Sequence, residues 1–441
     1  MNEVSTRTTL VGPSAGVTRA WMAVGLLFLF MLINFADKAV LGLAAVPIMQ
    51  ELELSHTEFG LIGASFFTFF SLGAVVVGFL VNRVDTKWVL ATLVLIWSLC
   101  QLPMLLPLSA AALIVSRVVL GFSEGPAYPV ALHAAYKWFP PEHRAVPTSV
   151  IAIGALAGNG IVAPAIVWII TSWSWRAAFA VLGAVGLVWC ATWLAVFREG
   201  PLGADATISG EPNARASYRR LLGCRTVIGV QIVGFAAYWL LTLAVIWLPA
   251  FLNEGLGYTS IDAGWIVMLV ALCQILLLPI ICAFSERLRR RGTASRLAYG
   301  WIASGCSLAA GLLTILLAQT AGSFATIACT VLAFSLGNVI FVLGPVLVAE
   351  VTPIGQRGAV LGISNAITTL AGPLAPAVMG VIVDLGADPA DGFRTAFAVA
   401  GTVVIVGALV GFALIVPEAD LARFAAGPKR RVAARQGGLR G

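Results

Sequence analysis

Residues Arg117 to Arg144 read RVVLGFSEGPAYPVALHAAYKWFPPEHR, an apolar run that carries an arginine and a glutamate well inside it. Arg117 and Glu124 stand seven residues apart. On a helix of about 3.6 residues per turn that spacing sets them on one face, about 10 Å apart along the axis. On either side the chain is segment after segment of roughly 20 apolar residues, the length that crosses a hydrocarbon core as a helix rather than the short alternating strands of a barrel. The predicted fold is an all-α membrane protein with twelve transmembrane helices, and the question becomes what passes the charged wall of the fourth.

Composition supports that reading. Of 441 residues, 60% are hydrophobic and only 11% charged, which excludes a water-soluble globule. The formal net charge of +7 does not mark a nucleic-acid binder, because the basic residues gather in alternate loops. Arg83 and Lys87, Lys137 and Arg144, Arg198 through Arg225, Arg287 through Arg296, Arg357, and Arg423 through Arg440 fall on one side of a twelve-helix thread, and Arg176 and Arg394 on the other. That asymmetry predicts a cell inner membrane protein with both termini cytoplasmic and the lipid bilayer as its surroundings. Seven cysteines without a CxxC pair give no expected disulfide or metal site. The polar first nineteen residues have no signal-peptide pattern. With no nucleophile-base or metal-ligand constellation, an enzyme is not expected, nor a cofactor.

Read in order, helix one (20–43) holds Asn34, Asp37 and Lys38 in its second half. Ser55 and Glu58 predict a capping box opening helix two, which ends near 80. An inner turn with Asn82, Arg83, Asp85 and Lys87 leads to helix three (88–106). Helix five (147–170) has the GxxxG of Gly154 and Gly158 followed by Asn159 and Pro164, the pattern of a closely packed or bent helix. Helix six runs over 176–197. The one long polar interruption, 198–226, predicts a cytoplasmic linker between six-helix bundles at 20–197 and 227–416, flanked by terminal segments 1–19 and 417–441. Helices seven to twelve are expected near 227–251, 260–284, 296–318, 324–348, 357–383 and 393–416.

The two bundles repeat. GFSEG at Gly121–Gly125 returns as AFSLG at Ala333–Gly337, FPPEHRA at Phe139–Ala145 as TPIGQRG at Thr352–Gly358, and LSHTEFG at Leu54–Gly60 as YTSIDAG at Tyr258–Gly264. Pseudo-symmetric halves with a midplane site between them are the architecture of rocker-switch transporters. The repeat fails at the charges, since Arg117 aligns with Cys329 and Glu124 with Leu336. The second half offers neutral groups instead, among them Tyr238, Asn338, Ser364 and Asn365.

An ionised side chain at membrane depth is expensive, so Asp37, Lys38, Arg117 and Glu124 must face the bundle interior. Lys38 and Arg117 suit an anionic cargo, arginine bidentately, while Asp37 and Glu124 suit proton binding. The alternative is a static buried network joining helices one and four. Asn159, Tyr238, Asn338, Ser364 and Asn365 either contact substrate or bond helix to helix. Phe66, Phe67, Phe69 and Phe70 either pack or line the site.

Together the runs RVVLGFSEGPAYP and KWFPPEHRA of helix four, NFADKAVLGLA of helix one, WLPAFL of helix seven and RGAVLGISNAITTLAGPLAP of helix eleven resemble the anion:cation symporter branch of the major facilitator superfamily over nearly the whole chain. The resemblance implies two pseudo-symmetric six-helix halves and symport of a small organic anion with protons; the expected working unit is a monomer. It implies protonation at Asp37 and Glu124, binding or coupling at Lys38 and Arg117, and gating at the turn with Arg83, Asp85 and Lys87. Asn82 stands where that turn usually has aspartate, and Asp85 where it has glycine. The family commonly has arginine at position 38 and tyrosine at positions 35 and 70, against Lys38, Phe35 and Phe70 here. Two lost hydroxyls point from a polyhydroxylated sugar acid toward an aromatic or short apolar carboxylate. The rival on the same fold is a proton-coupled exporter of drugs or metabolites.

Overall fold

In a membrane every backbone N–H and C=O must be paired within the chain, and here the apolar segments pair theirs as helices. The computed structural model describes residues 13–80, 84–106, 109–139, 145–201, 217–320, 324–353 and 356–425. Asn82, Arg83, Arg144, most of the linker, and the terminal residues 1–12 and 426–441 lie outside them. Among the described residues twelve helices are long and apolar enough to span a membrane: α1 Val17–Leu43, α2 His56–Ala74, α3 Thr86–Leu105, α4 Ala110–Tyr136, α5 Pro147–Ser172, α6 Trp175–Val196, α7 Arg225–Ile246, α8 Ser260–Arg290, α9 Arg296–Gln319, α10 Phe324–Glu350, α11 Val360–Asp384 and α12 Pro389–Leu414.

Local chemistry sets several of the boundaries. The Ser55 hydroxyl accepts from the Glu58 N–H at 3.1 Å while Ser55 N–H donates to Glu58 at 2.9 Å, the reciprocal box that the sequence predicts for α2. At α8, Thr259 accepts from the Asp262 N–H at 3.1 Å, so the repeated segments start their helices alike. Ser174 caps α6 by accepting from the Ala177 N–H at 3.1 Å, so that helix opens at Trp175, a residue earlier than expected. In α5 the chain widens into a π-helical turn at Ala157–Ile161. Pro164, just beyond, has no N–H to return and its ring crowds the carbonyl one turn back, so the extra residue of the turn absorbs the misfit.

Helices α1–α6 and α7–α12 form two halves, and apolar burial divides accordingly. One cluster built on Phe30, Trp97 and Trp193 belongs to α1–α6 alone. Another, around Val227, Leu343 and Leu347, lies in the second half. The third joins both halves, packing Val40 and Phe59 with Trp247, Phe251 and Phe393. This shared cluster sits at the distal end, the end carrying the α1–α2 connection and remote from the termini. There α2 and α11 meet backbone to backbone. A side chain on Gly380 would collide with the His56 carbonyl, and one on Gly60 with that of Pro376. The distal end is closed by these contacts, and toward the opposite, terminal end each half keeps a core of its own.

Candidate functional site

The charges of the first half converge on one buried place. Asp37 is 0% exposed, Arg117 1% and Glu124 1%. Lys38 Nζ on α1 stands 3.5 Å from Glu124 Oε2 on α4 and donates to Asn34 Oδ1 at 2.6 Å. The same ammonium lies 4.0 Å from the centre of the Phe35 ring and 5.4 Å from that of Phe70, both within cation–π range. Arg117 Nη2 donates to Gln101 Oε1 of α3 at 3.3 Å, and its guanidinium rests 5.1 Å over the Phe179 ring of α6. Asp37 interacts electrostatically with Arg117 and Lys38.

Hydrogen bonding at this site is incomplete. Among the described residues no hydrogen-bond partner within normal geometry is found for either carboxylate oxygen of Asp37 or of Glu124, the latter keeping its ion pair with Lys38, nor for Arg117 Nε, Asn34 Nδ2, Gln101 Nε2 or Asn159 Oδ1. Buried charges normally have their bonding capacity satisfied, and an orphan is costly. Here eight such atoms belong to six residues, most of them around one pair of cations.

A narrow gap is lined by Lys38, Arg117, Phe66 and Phe67 on one side and by Val245 and Ile246 of the other half on the other. From there a line of rings crosses between the halves. Phe67 meets Tyr238 at 6.2 Å between centroids, and Tyr238 meets Phe341 at 6.1 Å, both edge to face. Phe341 lines a second, larger cavity of about 120 Å³ with Ile340, Leu361, Ser364, Asn365 and Thr368, all of the second half.

The expected residues therefore divide. Phe35 and Phe70 reach Lys38, Tyr238 meets Phe67 across the halves, and Ser364 and Asn365 line the cavity of the second half. Asn338 instead donates to the Phe334 carbonyl at 3.0 Å, a bond within its own helix. Asn159 sits in the π-helical turn of α5. Three polar contributors go unremarked or unassigned by sequence reasoning: Asn34, Gln101, and Gln231, which donates to Ser364 Oγ at 3.3 Å. A lone amide in an apolar run is the signal that would have found them.

At the terminal end Arg83 lies outside the described residues and Asp85 is exposed. Glu199 is the organising group. It accepts from Lys137 Nζ at 2.8 Å, Thr86 Oγ1 at 2.8 Å and the Lys87 N–H at 2.9 Å. Burial pushes its carboxyl upward, but these donors outweigh it and hold the group below the usual carboxylate range. Among the described residues no group of three or more His, Cys, Asp or Glu is placed to hold a metal.

The sequence matches the Major Facilitator Superfamily over residues 27–259 and 230–439. It is 26% identical over 412 residues to the hexuronate transporter of Bacillus subtilis, covering 89% of this chain and 94% of that one. To the D-galactonate transporter of Escherichia coli O6:H1 it is 24% identical over 418 residues, again covering 89% and 94%. Among solved structures, a bacterial homologue of the human lysosomal transporter Spinster, in an inward-facing and unoccupied conformation, superposes with a TM-score of 0.72 at 18% identity, covering 92% of this chain and 98% of that one.

Proposed function

The chain belongs to the Major Facilitator Superfamily, and from that premise we propose that it imports a small organic anion together with protons by alternating access. The observation that carries this reading is the incomplete bonding of Asp37, Glu124 and Arg117 at a buried site between the halves. A static strut that left so much of the hydrogen-bonding capacity of its acids and bases unmet would be a poor one, since apolar packing could replace it without the desolvation penalty. A site that alternately takes up protons and an anion has a use for each of them.

In the proposed cycle the distal end faces outward, which the placement of basic loops supports, and both termini lie in the cytoplasm of a cell inner membrane. Residues 20–197 and 227–416 act as the moving bodies of a functional monomer, joined by the linker 198–226, with Arg83, Asp85 and Lys87 contributing to the gate. Asp37 and Glu124 take protons. An anionic head settles between Lys38 and Arg117, and a proton site beside an anion site couples the two by linkage. Asn159, Ser364 and Asn365 contact the remainder of the cargo, and Asn338 shapes their wall. Phe35, Phe70 and Phe67 put rings where a sugar acid would seek hydroxyl partners, which favours an aromatic or short apolar carboxylate.

Substrate-induced pH change in proteoliposomes, screened over carboxylic acids, tests cargo class and coupling together. Alkalinisation of the outer medium with aromatic or short acids is the expected result. A response confined to galactonate-like acids would overturn the cargo assignment. Glu124→Gln should abolish gradient-driven uptake while sparing part of counterflow exchange, and unchanged gradient-driven uptake would remove Glu124 from the coupling.

A further inference from the structure

Away from the charged site, one histidine is clasped between the two halves at the distal end. His56 opens α2 in the first half. Its Nδ1 lies 2.9 Å from Asp384 Oδ1 at the end of α11, and its Nε2 lies 3.0 Å from Glu254 Oε2 beyond α7. The backbone N–H groups of His56 and Thr57 also donate to the Asp384 carboxylate, at 3.1 and 2.7 Å. The Trp247 ring stacks at 6.0 Å and the Phe393 edge stands at 5.6 Å, so the imidazole is walled in by the other half.

A neutral imidazole has one N–H and one lone pair, and only the imidazolium can donate from both nitrogens. With a carboxylate oxygen facing each nitrogen, the doubly protonated ring donates to both. The other charged groups nearby are occupied or turned elsewhere. Glu58 on the same helix holds Ser55 N–H. Asp388 accepts from the Asp391 N–H, while Glu53 and Arg394 are exposed. The repeat sharpens the point, because Ser260 occupies the position equivalent to His56, and the neighbouring Gly264 packs against apolar Val167. The two pseudo-equivalent helix starts therefore differ, with a histidine at one and a serine at the other.

We propose that His56 is a proton-binding latch, separate from Asp37 and Glu124, which holds the distal end closed through Asp384 and Glu254. When the halves part, the ring leaves both carboxylates and loses its preference for a proton. The closed state therefore binds that proton more tightly than the open one, and by linkage a falling pH populates the closed state. An imidazole titrates in the range where such a device would work.

The test reads conformation without substrate, so it stands apart from the transport reading. Spin labels at E53C and L385C, in the full chain with its seven native cysteines changed to serine and with D37N and E124Q in place, report the distal separation in nanodiscs. Between pH 8.5 and 5.5 the ratio of short to long distances should rise about fivefold, the upper end for a partly exposed ion pair. His56→Gln should remove that response and leave the ratio at its alkaline value. Glu254→Gln, which keeps one carboxylate, should retain roughly half of it on a logarithmic scale and guards against misfolding of the first variant. A His56→Gln chain that keeps the full pH response, or a parent chain with none, overturns the latch.

Discussion

Arg117 is held by packing on Phe179 and by a hydrogen bond to Gln101, and it sits between two buried carboxylates. Removing a buried charge leaves its partners uncompensated, which costs about 3–5 kcal/mol when they cannot relax. Arg117→Ala should lower the unfolding temperature in detergent, and adding Asp37→Asn should restore much of the loss because it removes one stranded charge. Equal melting of the single and double variants would contradict that coupling. Phe70→Tyr places a hydroxyl within reach of the Lys38 surroundings. One hydrogen bond contributes about 0.5–1.5 kcal/mol, so inhibition of uptake by galactonate should strengthen up to about tenfold while benzoate changes little. Asp37, Lys38, Arg117 and Glu124 were legible because charge inside an apolar run has few explanations. Gln101 and Gln231 were not, since one amide among twenty apolar residues weighs little in any periodicity. His56 could not be read at all as a latch, because its partner Asp384 lies 328 residues away.

At the scale of elements, the caps were the most legible feature. Ser55 with Glu58 fixes the start of α2, and the chemistry is local, so the sequence carries it entire. The π-helical turn of α5 was only hinted at by Gly158, Asn159 and Pro164, because proline predicts a disturbance without stating its form. Glu199 tests how elements are tied at the terminal end, where it joins α3, α4 and the end of α6. Its folded-state value is lowered from the ordinary 4.5, so its stabilisation is complete above the ordinary range and lost as pH falls through the lowered value. Wild type should therefore exceed Glu199→Gln in thermal stability by a constant margin from pH 6 to 8. That margin should shrink below about pH 4. A margin that grows with acid would place the stabilisation elsewhere.

For the whole molecule, twelve spans and two halves follow from segment length and from the repeat, while the closed end does not. Two packings of one sequence can differ by little energy, and the pattern of apolar residues serves both. In the observed arrangement Asn365 is exposed beside the larger cavity. Cysteine at position 365 should react with an impermeant maleimide added on the terminal side of oriented vesicles. It should resist the reagent from the distal side and be protected by transported anion. Labelling from the distal side alone would contradict a closed distal end.

The charge cluster of the first half contains two acids and two bases, Asp37 and Glu124 against Lys38 and Arg117, and so sums to zero when all four are ionised. An empty, deprotonated carrier would then reorient without moving net charge through the electric field of the membrane. A transmembrane potential contributes about 2.3 kcal/mol per elementary charge per 100 mV, and none of that would act on the return step. Voltage would bear only on the loaded crossing, where a monovalent anion with one proton is silent and with two protons is driven inward. The current carried per anion thus becomes a direct count of protons.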